Sequence, residues 1–298
     1  MLSPEGQRIR LWLLQKVKNA HPPSSIQEAR VGVEAFAARA SLPPGIRIEP
    51  VAAGSVPAEW VGTSDSINDK VILHLHGGGY TMGSCTTARG LASLLSVSSG
   101  MRVLSVGYRL APEYPFPAAI EDATAAYRWL LSRGIPPRQI IMTGESSGGG
   151  LVLAAQVALR DDNVVLPAGA VLFSPWTDLA CTGGSMITRA EADPWLTADW
   201  TRSNAALYAG GEDLCHPLIS PLYADLRSLP PLLIHVGSDE ILLDDSTRVA
   251  ERAKAVGIDV TLNVWNDMWH VWHCFALRLP EGQRAMEQIA RFIQQRLG

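Results

Sequence analysis

The stretch TGESSGGG, residues 143–150, holds one match to G-x-S-x-G: Gly144, Glu145, Ser146, Ser147 and Gly148. Ser146 is either a nucleophile or one of two serines in a glycine-rich turn. The chain has 26 glycines in 298 residues, and chance supplies on the order of 0.2 such matches, so the flanks must decide. Upstream, QIIMTG is a short apolar run of strand type; downstream, GLVLAAQVALR has helical spacing. The match is then the tight turn between them. A serine there sits in a strained elbow, its hydroxyl aimed out of the sheet edge, and the flanking glycines give the turn room. The N-terminus of the following helix favours developing negative charge. A phosphate loop would need the lysine of GxxxxGK[ST], which is missing. A dinucleotide loop would need another glycine spacing and a ribose-binding acid further on.

Outward from the elbow, apolar runs alternate with helical patterns. KVILHLHGGGY, MRVLSVGYRLAPE, AGAVLFSPW, LPPLLIHVGSDE and DVTLNVW read as strands. FPAAIEDATAAYRWLLSR, DDSTRVAERAKAVG and roughly 281–296 read as helices. This alternation predicts an α/β fold with a mostly parallel central sheet covered on both faces. Residues 5–20 and 25–41 have helical spacing on either side of the breaker HPPS. Residues about 180–222 are too long for a simple crossover, and DPWLTADWTRSNAALYAGG within them is helical in character. The expected organisation is therefore N-terminal cap helices over 1–45 and a catalytic domain over 46–298. The insertion at about 180–222 lies over the strand C-terminal ends, where such sheets bind ligands.

A nucleophilic serine needs donors for an oxyanion. HGGGY, His76 to Tyr80, follows a strand and precedes the serine. Its bare glycine N–H groups can approach a tetrahedral intermediate. Gly78 and Gly79, with the N–H of Ser147, are the expected donors. Chain order then asks for an acid and a histidine further along. LLIHVGSDE offers Asp239 and Glu240; Asp239 comes first after the strand and is preferred, with Glu240 as the alternative. Asp244 and Asp245 open a helix, where capping accounts for them. Of seven histidines, His21, His74, His76, His216 and His235 lie too early in the chain or inside a strand. His270 and His273, after the last strand, can reach the serine, and spacing alone does not separate them. His74 and His76 lack an evident third metal ligand.

Composition excludes several classes. The formal charge is -4 and 18% of residues are charged, which advertises neither nucleic acid nor an anionic membrane surface. The longest uncharged run, Val71 to Ala88, contains two histidines and four glycines, so stable membrane insertion is not expected. The first ten residues lack the pattern of a signal peptide. Cys85, Cys181, Cys215 and Cys274 show no CxxC pair, so free thiols and a cytoplasmic location are expected, with Cys181–Cys215 the one pairing worth testing. VTLNVW is an apolar edge candidate through which a homodimer could form.

Taken together, HLHGGGY, YRLAPEYPFPAA, TGESSGGG, SPWTDL, SPLYADLRSLPPLLIHVGSDEILLDDS and DMWHVWH, in that order, resemble the hormone-sensitive-lipase-like branch of the α/β-hydrolase carboxylesterases. They cover roughly residues 70–285. The resemblance implies an α/β-hydrolase fold with a helical cap, Ser146 as nucleophile, Asp239 as acid, and Gly78, Gly79 and Ser147 as oxyanion donors. It favours His270, because D-M-W-H mimics the family's G-M-x-H turn. It implies hydrolysis of short- to medium-chain acyl esters through an acyl-enzyme, without metal or organic cofactor. An arylacetamide-type deacetylase, an amidase and a non-catalytic ligand receptor are the alternatives on this scaffold. Glu145 and Ser147 replace the family's more frequent Asp and Ala. Tyr108 to Glu113 is expected to be architectural, with Arg109 and Glu113 in one buried polar network. Trp195, Trp200, Tyr208 and Met186 are expected in the cap.

Overall fold

The computed structural model describes residues 2–19, 23 and 25–298. The expected HPPS breaker and His21 fall outside these residues, save Pro23. An eight-stranded sheet runs β1 (Arg47–Ala53), β2 (Val56–Gly62), β3 (Ile67–Leu75), β4 (Met101–Val106), β5 (Ile140–Glu145), β6 (Gly169–Phe173), β7 (Leu232–Gly237) and β8 (Val260–Trp265) in chain order. Its spatial order is β1-β2-β4-β3-β5-β6-β7-β8. Strands β3 to β8 are parallel, and β2 joins β1 and β4 antiparallel. The mostly parallel sheet is as the sequence predicts. The antiparallel β1–β2 hairpin lies outside the strands that the sequence predicts.

The central strands are apolar on both faces because both faces are covered. Leu73, Leu104, Met142, Leu172 and Ile234 point to one core, under α4 (Ala118–Ser132), α5 (Ser147–Asp161) and α8 (Leu243–Ala255). Ile72, Val103, Ile141, Val171 and Leu233 point to the other, under α3 (Cys85–Ser99) and α9 (Pro280–Leu297). The α9 helix buries Met286, Ile289, Phe292 and Ile293, each worth about 1.5–3 kcal/mol when removed from water. By contrast, the last strand, β8, is half exposed, with Val264 43% open to solvent. Because β3, β5, β6, β7 and β8 are parallel and in register, the loops that follow them gather at one edge.

The two N-terminal helices, α1 (Pro4–Leu13) and α2 (Ile26–Ala37), begin at Ser3 and Ser25, whose hydroxyls accept from Gly6 N and Glu28 N. Ser3 also binds Glu281 through its N–H and hydroxyl, tying α1 to α9. A short π-helix, Leu14–Lys18, extends α1. Between β6 and β7 lie α6 (Ser185–Thr188) and α7 (Ala198–Ala209), inside the expected insertion.

Candidate active site

The elbow is visible in the backbone. Ser146 has φ 56° and ψ -124°, positive φ on a residue with a side chain, between the last residue of β5 and the first of α5. The strain is held from three sides: Ser146 N donates to Phe173 O at 2.9 Å, while Ser146 O accepts from Trp176 N at 2.9 Å and Gly149 N at 3.0 Å. The glycine at 148 has a steric reason, since a Cβ there would meet the carbonyl oxygen of Leu75 at the end of β3. Ser146 is 7% exposed and His270 3%, so the site is largely closed to water.

At the end of β3, Gly78 and Gly79 have φ of 118° and 63°. A Cβ on Gly79 would lie 2.9 Å from the Trp200 ring. The N–H of Gly77 is directed away, donating to Glu145 Oε1 at 2.7 Å. Among the described residues, the N–H groups of Gly78, Gly79 and Ser147 donate to no protein acceptor, which is what oxyanion donors require.

The acid side corrects one expectation. His270 Nδ1 lies 2.9 Å from Glu240 Oε2, not from Asp239. Glu240 is fully buried, and its other oxygen accepts from Ser174 Oγ at 2.9 Å and Gly237 N at 2.5 Å. Burial pushes its carboxyl up, while His270 and the Gly237 N–H pull it back down. Asp239 is held instead by Arg10 of α1 at 2.6 Å and by Ser238 Oγ at 3.0 Å. The physical reason is the turn after β7. Ser238 and Asp239 carry their side chains toward solvent and the N-terminal helix, and Glu240 is the first to turn inward. Ser174, in the SPWTDL stretch, braces this pair, and no local sequence signal marks it: its hydroxyl accepts from Val271 N at 3.1 Å while donating to Glu240.

His273 is not beside Glu240. Its Nε2 sits 3.2 Å from His235 Nδ1, in a chain continued by the half-buried Asn263 and Gln288. Burial holds His235 at about 3 and His273 well below the usual imidazole range, and burial brings His76 to about 4. All three stay neutral where an unfolded imidazole, near 6.5, takes a proton. Between pH 6.5 and 4 the unfolded chain thus binds more protons, and stability falls as pH falls. Each imidazole contributes up to about 1.4 kcal/mol per pH unit. The buried carboxyl of Asp245, pushed up to about 8, works in the opposite sense, as does Glu240. Three imidazoles against two carboxyls leave a net loss. Urea midpoints should therefore drop from pH 6.5 to 4.5; a midpoint that rises would contradict the burial of these rings.

Further expectations are revised. Arg109 pairs with Asp122 and Glu121, whereas Glu113 pairs with Arg30, so the two do not share a network and neither is deeply buried. Asp244 and Asp245 do not cap α8, the helix they open. Asp245 Oδ1 accepts from Thr177 N and Asp178 N, and Asp244 Oδ2 from Ser185 N. The four cysteines are free thiols, as the sequence predicts. His74 Nε2 lies 3.1 Å from Glu145 Oε2, and His76 stacks on Tyr108 with centroids 4.2 Å apart. Among the described residues no three His, Cys, Asp or Glu side chains gather as a metal site.

Helices from outside the core sheet close over this edge. Lys18 donates to the carbonyls of Ala190, Asp193 and Leu196 at 2.7–2.8 Å. The fully buried Asp193 accepts from Trp195 N, Leu196 N and Ile241 N, pinning this segment to the residue after Glu240. Trp195 meets the His270 ring edge-on at 6.2 Å. On the other side, Arg30 donates to Thr81 O at 2.7 Å and to Ala111 O at 2.8 Å. Tyr208 stacks on Tyr80 and, like Met186, is buried in the core.

Comparison with known proteins adds to this geometry. A family model described as α/β-hydrolase fold matches residues 72–274. An acetyl-hydrolase of Streptomyces hygroscopicus is 46% identical over 257 residues, covering 86% of this chain and 85% of its own. An esterase of Acinetobacter venetianus is 36% identical over 250 residues, covering 84% and 82%. The crystal structure of an esterase from the bacterial hormone-sensitive lipase family superposes with a TM-score of 0.96 at 46% identity, covering all of both chains.

Proposed function

Given a chain that belongs to the α/β-hydrolase-fold family, among bacterial esterases of the hormone-sensitive lipase type, and is a serine carboxylic ester hydrolase, we propose that Ser146, His270 and Glu240 form its triad. The observation that carries the assignment is the buried His270–Glu240 pair at 2.9 Å, on the same strand edge as the strained Ser146 elbow. His270 takes the serine proton through Nε2 as Ser146 Oγ attacks the ester carbonyl. Glu240, accepting at Nδ1, fixes the tautomer and stabilises the imidazolium. The N–H groups of Gly78, Gly79 and Ser147 receive the oxyanion; His270 then protonates the leaving alcohol. Water, deprotonated by the same imidazole, releases the acid from the acyl-enzyme. The chemistry calls for no metal or organic cofactor.

The substrate class is short- to medium-chain acyl esters. Crowding by Trp195 beside His270 and Trp200 beside Gly79 supports a short acyl group, as does the acetyl-hydrolase among the relatives. The N-terminal helices and the 180–222 segment together act as the cap. Initial rates on p-nitrophenyl esters from acetate to palmitate are expected to peak at or below about eight acyl carbons and to fall for palmitate. A maximum at palmitate would show that the cap does not set the limit. No helix among the described residues is long and apolar enough to cross a membrane.

A further inference from the structure

Glu145 lies inside the elbow, yet the triad has no use for it. Its carboxylate is buried, with 13% of the side chain exposed, and an unpaired carboxylate there would be costly. Its two oxygens face β3 and the loop that follows it. Oε1 accepts from Gly77 N at 2.7 Å and Oε2 faces His74 Nε2 at 3.1 Å. His74 Nδ1 in turn lies 2.9 Å from Thr143 Oγ1, its register partner on β5. One carboxylate thus connects the end of the nucleophile's strand to the first peptide of the glycine loop. Gly77 is held from its carbonyl side as well, since His76 Nδ1 lies 2.8 Å from Gly77 O.

We propose that Glu145 is a positioning residue for the oxyanion hole, fixing the Gly77–Gly79 backbone relative to Ser146. This rests on the ester-hydrolase reading of Ser146. With the first N–H of the loop taken by the carboxylate, the peptide plane at Gly77 is set, and the next two N–H groups, of Gly78 and Gly79, are left for the substrate oxygen. Glu145 directly precedes Ser146, so movement of the nucleophile and movement of its donors are coupled through one residue. A hydrogen bond to a charged acceptor is stronger than a neutral one, which suits a loop with two glycines at positive φ whose other bonds hold its carbonyl oxygens, Gly77 O by His76 and Gly78 O by Thr81 N and Met82 N. His74 backs the carboxylate from β3, so the support comes from the sheet rather than from the mobile end of a side chain.

The test compares Glu145→Ala and Glu145→Gln with wild type, using p-nitrophenyl acetate and a trifluoromethyl ketone whose serine adduct carries an oxyanion. Glu145→Ala is expected to lose about 100-fold in kcat with KM within about threefold, comparable to the loss of one oxyanion donor. The ketone's inhibition constant should rise by a similar factor. Glu145→Gln keeps an acceptor for Gly77 and should return to within about tenfold of wild type. If the Ala variant does not fold, Glu145→Leu, similar in size but without an acceptor for Gly77, decides: a loss of kcat matched by weaker ketone binding supports the role, and wild-type values of both overturn it. A fall in kcat with unchanged ketone affinity also overturns it, since the donors would then be in place. Wild-type protein that neither turns over the ester nor takes a phosphonate on Ser146 would instead remove the ester-hydrolase reading, and this inference with it.

Discussion

Glu240→Gln is expected to lower kcat by about 10⁴-fold on a p-nitrophenyl ester, the loss that accompanies an amide in place of a triad acid. Asp239→Asn should stay within about threefold of wild type. The contrast follows from where the two carboxylates are. Glu240 is buried against His270 Nδ1 and held by Ser174 Oγ and Gly237 N. Replacing it by an amide puts an N–H₂ among groups that donate to it, or turns the imidazole to the wrong tautomer. Asp239 binds Arg10, with both side chains a fifth to a quarter exposed. Its loss should cost about 1 kcal/mol of stability, the scale of a partly exposed ion pair, and leave the chemistry in place. Steady-state kinetics on both variants, with thermal unfolding as a control, separates them. Equal losses in the two would contradict the assignment.

Ser146→Ala is expected to lose on the order of 10⁵–10⁶-fold in kcat, leaving only the residual catalysis of the oxyanion donors and of binding. The same substitution should not destabilise the fold. Ser146 carries the strained φ whether its side chain is CH₂OH or CH₃, and its backbone bonds to Phe173, Trp176 and Gly149 use main-chain atoms only. An unchanged unfolding midpoint beside an abolished rate would separate chemistry from structure. A rate within tenfold of wild type would place the nucleophile elsewhere.

Much of this was legible in the chain because the parallel sheet imposes a local grammar. The buried strands β3 to β7 announce themselves as apolar runs, and the elbow is a local event between one strand and one helix. The misses have physical causes. In β1, the half-exposed RIEPVAA carries Pro50, which is tolerated at an edge and obscures the pattern. The α3 helix, CTTARGLASLLSVSS, is rich in Ser and Thr. It is held by the Ser84–Thr87 capping box and by burial against β4 and α9 rather than by propensity. The carboxylate beside His270 is Glu240 rather than the preferred Asp239, because order after a strand says nothing about which side chain turns inward. A glutamate one residue later, and one methylene longer, reached the histidine. His270 and His273 are three residues apart and only packing separates them, one beside Glu240 and one against His235. The contacts of Arg10, Lys18 and Arg30 with distant backbone left no local trace, since each bridges 50 residues or more.

The most direct test of the account is to treat the protein with a p-nitrophenyl phosphonate and map the modified peptide by mass spectrometry. The account predicts one adduct per chain, on Ser146, with loss of esterase activity in proportion to labelling and no adduct in Ser146→Ala. An adduct on another residue, or full activity in a fully labelled chain, would contradict it.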